Sequence, residues 1–248
     1  MYRTACKSQK GNSRKVNEDM VFVDEEMGLF IVADGVGGMP AGEIASQMVS
    51  SEIQAFFEAN EVESLTDADI TKMMRLAVLK ANAYLMEAQH QNLQYSGMGT
   101  TVVFALIVNH ILYVCNVGDS RAYLINSDGI TQLSTDQTLY QEMVEHEVNP
   151  KDTTVVEFAK NVLTQHIGRY RIPEANINIL ALTEDDYLLL CTDGLTNSLS
   201  ENEIYDIVSN GIGILQDRAN LLVETAIKAG SLDDVSVALI TKEDRIFV

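Results

Sequence analysis

The period of the apolar residues changes repeatedly along this 248-residue chain, and the order of the changes limits the folds open to it. "MVFVD" (20–24) and "GLFIVAD" (28–34) are β-branched and aromatic runs parted by a short acidic turn, the pattern of a hairpin. From Gly42 to Asn60 the spacing turns helical, with Ile44, Ala45, Met48, Val49, Ile53, Phe56 and Phe57 recurring. Ile70, Met73, Ala77, Ala81, Tyr84 and Ala88 mark a second helix. Strand patterns then return at 100–108, 111–119, 121–126 and 130–134, joined by short turns that predict an antiparallel meander. After a more polar, mixed segment, "INILAL", "YLLLCT" and "VSVALIT" resume the strand signal, with helices over about 201–210 and 216–229 between the last two. Strands and helix pairs without regular βαβ alternation predict an α+β fold, with sheets packed together and helices outside.

Several of these strands stop on an acid. Asp34, Asp119 and Asp193 each close an apolar run beside a glycine, and Asp233 and Asp234 open the last strand. One Asp-Gly pair is ordinarily a hairpin turn. Here, however, Asp34 and Asp193 lead towards helix starts rather than returning strands. Carboxylates buried at strand ends are costly unless they share a positive partner, and a cation is the simplest one. Oxygen ligands suit Mg²⁺ or Mn²⁺, whereas paired Cys or an HExxH motif, which would favour zinc, is missing from the sequence. Spacing alone does not bring these acids together.

Composition narrows the functions. Seventeen basic against 36 acidic residues give a formal charge of −19, which opposes nucleic acid and anionic lipid as partners. A hydrophobic content of 46% is enough for a sizeable core, and no linker or repeat divides the chain, so residues 1–248 are expected to form a single domain. Cysteines 6, 115 and 191 form no framework, which suggests a reducing, cytoplasmic setting. The basic start "MYRTACKSQKGNSRK" leads into no apolar core of the kind a signal peptide needs, and no run approaches a membrane span. "GVGGMPAG" has Pro40 where a dinucleotide fingerprint wants its third glycine, and no P-loop motif occurs.

Taken in order, "RKVNED" (14–19), "DGVGG" (34–38), "GTT" (99–101), "GDSR" (118–121), "NVLTQHIG" (161–168), "LLLCTDGLTNSLSENEI" (188–204) and "DDVSV" (233–237) strongly resemble the bacterial metal-dependent protein phosphatases of the type 2C serine/threonine family. The resemblance covers nearly the whole chain. It implies a four-layer β-sandwich of two antiparallel sheets flanked by helix pairs, with a flap at about 136–165. It also implies hydrolysis of phosphoserine and phosphothreonine in proteins by a water shared between two metal ions. The partners would be phosphorylated proteins, including a cognate serine/threonine kinase, and the enzyme would act as a monomer.

Carried over by position, Asp34, Asp193 and Asp233 resemble the ligands of one Mg²⁺ or Mn²⁺ ion, and Asp34, the Gly35 carbonyl and Glu18 those of a second. Asp19 resembles the carboxylate that orients the attacking water, Arg14 the phosphate-binding arginine, and Asp119, with Asp193, the site of a weaker third ion. The chain departs from the family pattern in places. Val36 stands where many members have a histidine, Gln137 also replaces a common histidine, and Asp234 stands where asparagine is usual. Histidines 90, 110, 146 and 166 are scattered without ligand spacing and are expected to be structural or exposed. The alternatives are a catalytically silent relative that binds phosphoproteins and a calcium-stapled structural module in which Arg14 has no role.

Overall fold

The computed structural model describes residues 2–36, 41–148 and 152–242. Residues 37–40 of the "DGVGG" stretch and 149–151 of the expected flap lie outside the described residues. Among the described residues, ten strands form two antiparallel five-stranded sheets. The first holds β2 (Asp19–Asp24), β3 (Leu29–Asp34), β4 (Val102–Val108), β5 (Ile111–Val117) and β8 (Asn176–Ala181), in that order. The second runs β1 (Tyr2–Gln9), β10 (Val235–Lys242), β9 (Tyr187–Cys191), β6 (Arg121–Asn126) and β7 (Gly129–Gln132).

The continuous apolar runs follow from burial on both faces. In β3, Leu29, Ile31 and Ala33 join the core under α1 (Gly42–Glu58) and α2 (Asp67–Gln91), while Phe30 and Val32 face the other sheet. In β10, Val235, Val237 and Leu239 pack beneath α6 (Glu201–Asn210) and α7 (Leu215–Lys228), while Ala238 and Ile240 point between the sheets. The result is helix pair, sheet, sheet, helix pair. Among the described residues no helix is long and apolar enough to cross a membrane.

The meander expected over residues 100–134 is corrected by this topology. β4 and β5 pair as a hairpin in the first sheet and β6 and β7 as a hairpin in the second, so the chain crosses between sheets at residues 118–120. Gly118 makes that crossing at φ 101°, in the region that favours glycine. Its Cβ would also lie 2.7 Å from Thr101 side-chain atoms. A short turn between two doubly buried strands reads the same in sequence whether it folds back or changes sheets. β1 lacks a strong apolar pattern and was not expected as a strand; it is an edge strand paired along its length with β10, from Tyr2 opposite Lys242 to Gln9 opposite Val235.

The loop after β1 is stitched onto the start of β10. Gly11 N–H donates to Asp234 Oδ1 at 2.9 Å, Glu18 N–H donates to Asp234 Oδ2 at 2.7 Å, and the Ser13 hydroxyl donates to Leu232 O. Asp234 is therefore a strand-entry acceptor serving two amides, of which an asparagine oxygen would leave one amide facing an NH₂ group. Gly11 sits so close to β10 that an added Cβ would lie 2.2 Å from the Asp233 carbonyl oxygen. Gly11→Ala is expected to push this loop off β10 and cost about 1–3 kcal/mol, or roughly 2–12 °C in Tm. Thermal denaturation checks this, and an unchanged Tm would show that the loop adjusts freely.

Candidate active site

Antiparallel pairing gathers the acids. The end of β3 lies beside the start of β2, with Asp34 directly opposite Asp19, and the end of β9 lies beside the start of β10. Asp193 follows β9 as the first residue of the short helix α5 (Asp193–Thr196), and Asp119 follows β5. Two like charges directly opposite each other are unfavourable in a sheet, so the surroundings have to hold Asp19 and Asp34 in place.

Backbone bonds do much of that. Asp34 N–H donates to the Thr101 hydroxyl at 3.2 Å, while its carbonyl accepts from the Thr100 hydroxyl at 2.7 Å and from Thr101 N–H at 2.8 Å. These leave the Asp34 carboxylate, only 9% exposed, free to face the other acids. The Thr192 hydroxyl donates to Asp19 Oδ2 at 3.0 Å, and Asn197 Nδ2 donates to Asp193 Oδ2 at 3.1 Å. The second oxygens, Asp19 Oδ1 and Asp193 Oδ1, are buried with no hydrogen-bond partner.

Arg14 is the positive group among the acids. Its Nε and Nη2 donate to the two oxygens of Asp233 at 2.8 and 2.6 Å, and Nη1 donates to Glu18 Oε2 at 3.2 Å. Gly35 N–H donates to the Glu18 carbonyl at 3.1 Å, placing Gly35 beside Glu18. The Glu18 carboxylate lies over Gly42 at the start of α1, where a Cβ would come within 3.0 Å of it.

Burial and repulsion shift the titration of the cluster upwards. Asp19 is pushed up to about 8, first by burial and then by Asp234 and Asp193, against hydrogen bonds that pull it down. Asp193 is pushed up to about 6 by burial and by Asp233, while a hydrogen bond from Asp34 pulls it down, so the two carboxyls are within reach of each other. Burial, then Asp19, Asp193, Asp233 and Asp119, raise Asp34 well above the carboxylate range. Burial, then Asp193 and Asp136, raise Asp119 in the same way. Burial raises Glu18 against the pull of Arg14.

The structure thus brings Asp19, Asp34, Asp119, Asp193 and Asp233 into one electrostatic cluster and links Glu18 to it through Arg14. Among the described residues, no three His, Cys, Asp or Glu side chains close into a ready-made cation cage. What fits a hard cation is the donor chemistry: carboxylates raised by burial and then by mutual repulsion, and two buried carboxylate oxygens without a donor.

A cavity of about 560 Å³ opens in front of Asp119 and Asp193. Its outer wall includes Tyr140 and Gln141 of α3 (Leu139–Glu145) and Lys160 of α4 (Thr153–Lys160), within the expected flap. Arg121, on the inner wall, is gripped by both oxygens of Asp136 and by the Tyr123 hydroxyl.

Thr100 and Thr101 stand in the "GTT" motif and Thr192 in the "LLLCTDG" stretch, but sequence reasoning gave no role to their hydroxyls, which hold the acids. The histidines have other contacts: His90 packs edge-on against Tyr170, His110 meets Tyr2, His146 bonds within its own helix segment, and His166 lies against Gly99.

Residues 10–227 match the model of the protein phosphatase 2C family. The chain is 33% identical over 245 residues to the protein phosphatase PhpP of Streptococcus pneumoniae, covering 94% of this chain and 95% of that protein. Serine/threonine phosphatase Stp1 from Staphylococcus aureus superposes with a TM-score of 0.88 at 31% identity, over 98% of this chain and 96% of that one. The catalytic domain of the serine threonine protein phosphatase PstP, solved in complex with two manganese ions, superposes with a TM-score of 0.81 at 27% identity, over 98% and 99% of the two chains. The extent of these matches and the acids gathered at the strand ends lead to one conclusion: the chain belongs to the protein phosphatase 2C family, whose members are phosphoprotein phosphatases.

Proposed function

We propose that this member hydrolyses phosphoserine and phosphothreonine in proteins with the help of Mg²⁺ or Mn²⁺. The observation that carries the reading is the cluster of buried acids with two partnerless carboxylate oxygens at the joined ends of both sheets. A pair of such cations, when bound, supplies Lewis acidity and a water acidified towards neutrality. Asp34, Asp193 and Asp233 would hold one ion, and Asp34, Glu18 and the Gly35 carbonyl the other, with Asp34 shared. Asp119 with Asp193 would hold a third, more weakly.

The remaining roles belong to the chain's own groups. Asp19, held through Oδ2 by Thr192, would accept a hydrogen bond from the attacking water and orient it. Arg14 already presents two parallel N–H groups to Asp233, and the same fork suits two phosphate oxygens. In this reading Arg14 exchanges its hold on Asp233 for the substrate phosphate, which couples phosphate binding to the freedom of a cation ligand. We read residues 1–248 as one catalytic domain acting as a monomer in the cytoplasm. Its substrates would be phosphorylated proteins, a cognate serine/threonine kinase among them.

Asp34→Asn removes the charge that both ions share. It is expected to abolish hydrolysis of an aryl phosphate and of a phosphopeptide alike in a steady-state assay with saturating Mn²⁺, as chelation should in the parent. Activity within about tenfold of the parent would overturn Asp34 as the shared ligand; a loss of one order of magnitude is only about 1.4 kcal/mol of transition-state stabilisation.

The metal-free protein should also lose stability as pH rises. Asp19 at about 8 and Asp193 at about 6 hold protons in the folded state that ordinary carboxyls of the unfolded chain have released. Their contribution is therefore full below about pH 4 and is lost as pH climbs through these folded values. Calorimetry between about pH 5 and pH 8.5 should show a falling Tm, with Mn²⁺ reversing the fall at the alkaline end. A Tm that rises over this window, or that ignores Mn²⁺, would contradict the proposed cluster.

A further inference from the structure

Gln137 is a departure from the family pattern, and its side chain does not line the cavity that its neighbours Asp136 and Thr138 help to form. It turns back onto Gly118 instead. Its main-chain N–H donates to the Gly118 carbonyl at 3.0 Å, and its side-chain Oε1 accepts from Gly118 N–H at 2.8 Å. Asn116 Nδ2 adds a longer contact of 3.3 Å to the same carbonyl and donates to Thr135 O at 2.8 Å. The peptide groups leading into Asp119 are thus gripped at both their N–H and their C=O. Gly118 is the residue at which the chain changes sheets, at a φ of 101°, and a 2.7 Å contact between the Thr101 and Ser120 hydroxyls holds the far side of the turn.

Gln137 lies at the start of the flap, and its own main-chain carbonyl accepts from Thr164 N–H, near the flap's end, at 2.8 Å. Its side-chain Nε2 donates to the Glu174 carbonyl, beyond the flap, at 2.7 Å. Gln137 therefore links the turn that carries Asp119 to both the end of the flap and the segment after it.

We propose that Gln137 is a positioning residue: by holding both backbone groups of Gly118 it aims Asp119 towards Asp193, and by its bonds to Glu174 and Thr164 it ties that aim to the flap. The inference rests on the reading of Asp119 as a ligand of the third ion. A substrate that moves the flap would, through this link, also tune the ion site nearest the cavity. That gives the chain a way to make turnover of large substrates depend on flap contacts without any flap residue touching the phosphate.

The test compares the parent with Gln137→Met, Asp119→Ala and the double variant. Gln137→Met keeps the side-chain volume and removes its polar atoms. Amide hydrogen exchange in the metal-free proteins should show faster exchange at Gly118 in Gln137→Met, by about an order of magnitude for the loss of one hydrogen bond to a buried amide. Calorimetric Mn²⁺ titration should show the weak site lowered by a similar factor while the two tight sites keep their affinity, which also reports that the variant is folded. Phosphopeptide turnover should fall in Gln137→Met but fall no further when the change is added to Asp119→Ala. Unchanged exchange at Gly118, or losses that simply multiply in the double variant, would overturn the proposal. If Asp119→Ala alone left Mn²⁺ binding and turnover as in the parent, the third-ion reading would fall and with it the aim assigned to Gln137, whereas the phosphatase reading is judged separately by Asp34→Asn.

Discussion

The repulsion among carboxylates buried at adjoining strand ends is the constraint on which the rest of this structure depends. Asp19 and Asp34 pair directly across β2 and β3, Asp193, which follows β9 of the other sheet, repels both, and Asp119, which follows β5, repels Asp34. Such an arrangement relaxes wherever the backbone can move away, so it persists only on a frame that does not yield. The two sheets supply that frame. Side chains such as Phe30, Val32, Val103, Leu188, Leu190 and Ala238 fill the space between them without exposure to solvent, each larger apolar one contributing about 1.5–3 kcal/mol.

The frame also explains why polar groups other than the acids are so well matched near the site. Thr100 and Thr101 saturate the backbone of Asp34, and Asp234 saturates Gly11 and Glu18. With those backbone demands met locally, the buried Oδ1 atoms of Asp19 and Asp193 are left without a donor, and these define a need for positive charge. Arg14 meets part of it. In the proposed reading, a guanidinium held fork to fork by Asp233 is already aligned to meet two phosphate oxygens.

Much of this was legible in the sequence where a residue's role is local. The run "LFIVAD" names a strand buried on both faces because alternate residues feed two different cores, and its terminal aspartate marks the site edge. The four-layer order followed from the resemblance and from helix pairs placed between groups of strands. The sheet change at Gly118 was not legible, since a tight turn and a crossover use the same residues. Nor was β1, whose Lys7 and polar residues fit an edge strand held by β10 rather than by its own apolar pattern. The pairing of Arg14 with Asp233 joins residues 219 positions apart, and Gln137 grips Gly118, 19 positions away, with its side-chain Oε1 as well as its main-chain N–H. Both depend on how the sheets meet, which no short window of sequence records. Asp234 was open between an added charge at the site and a strand-entry acceptor; its two amide partners decide for the acceptor.

The central claim is that Asp34 stands between two cations held by acids from both sheets. Anomalous diffraction at the manganese absorption edge, from crystals grown with Mn²⁺, tests it most directly. The account predicts two strong peaks flanking the Asp34 carboxylate, one shared with Asp193 and Asp233 and the other with Glu18 and the Gly35 carbonyl. Strong peaks located away from Asp34, or a single peak that leaves Asp193 and Asp233 without a metal, would contradict it.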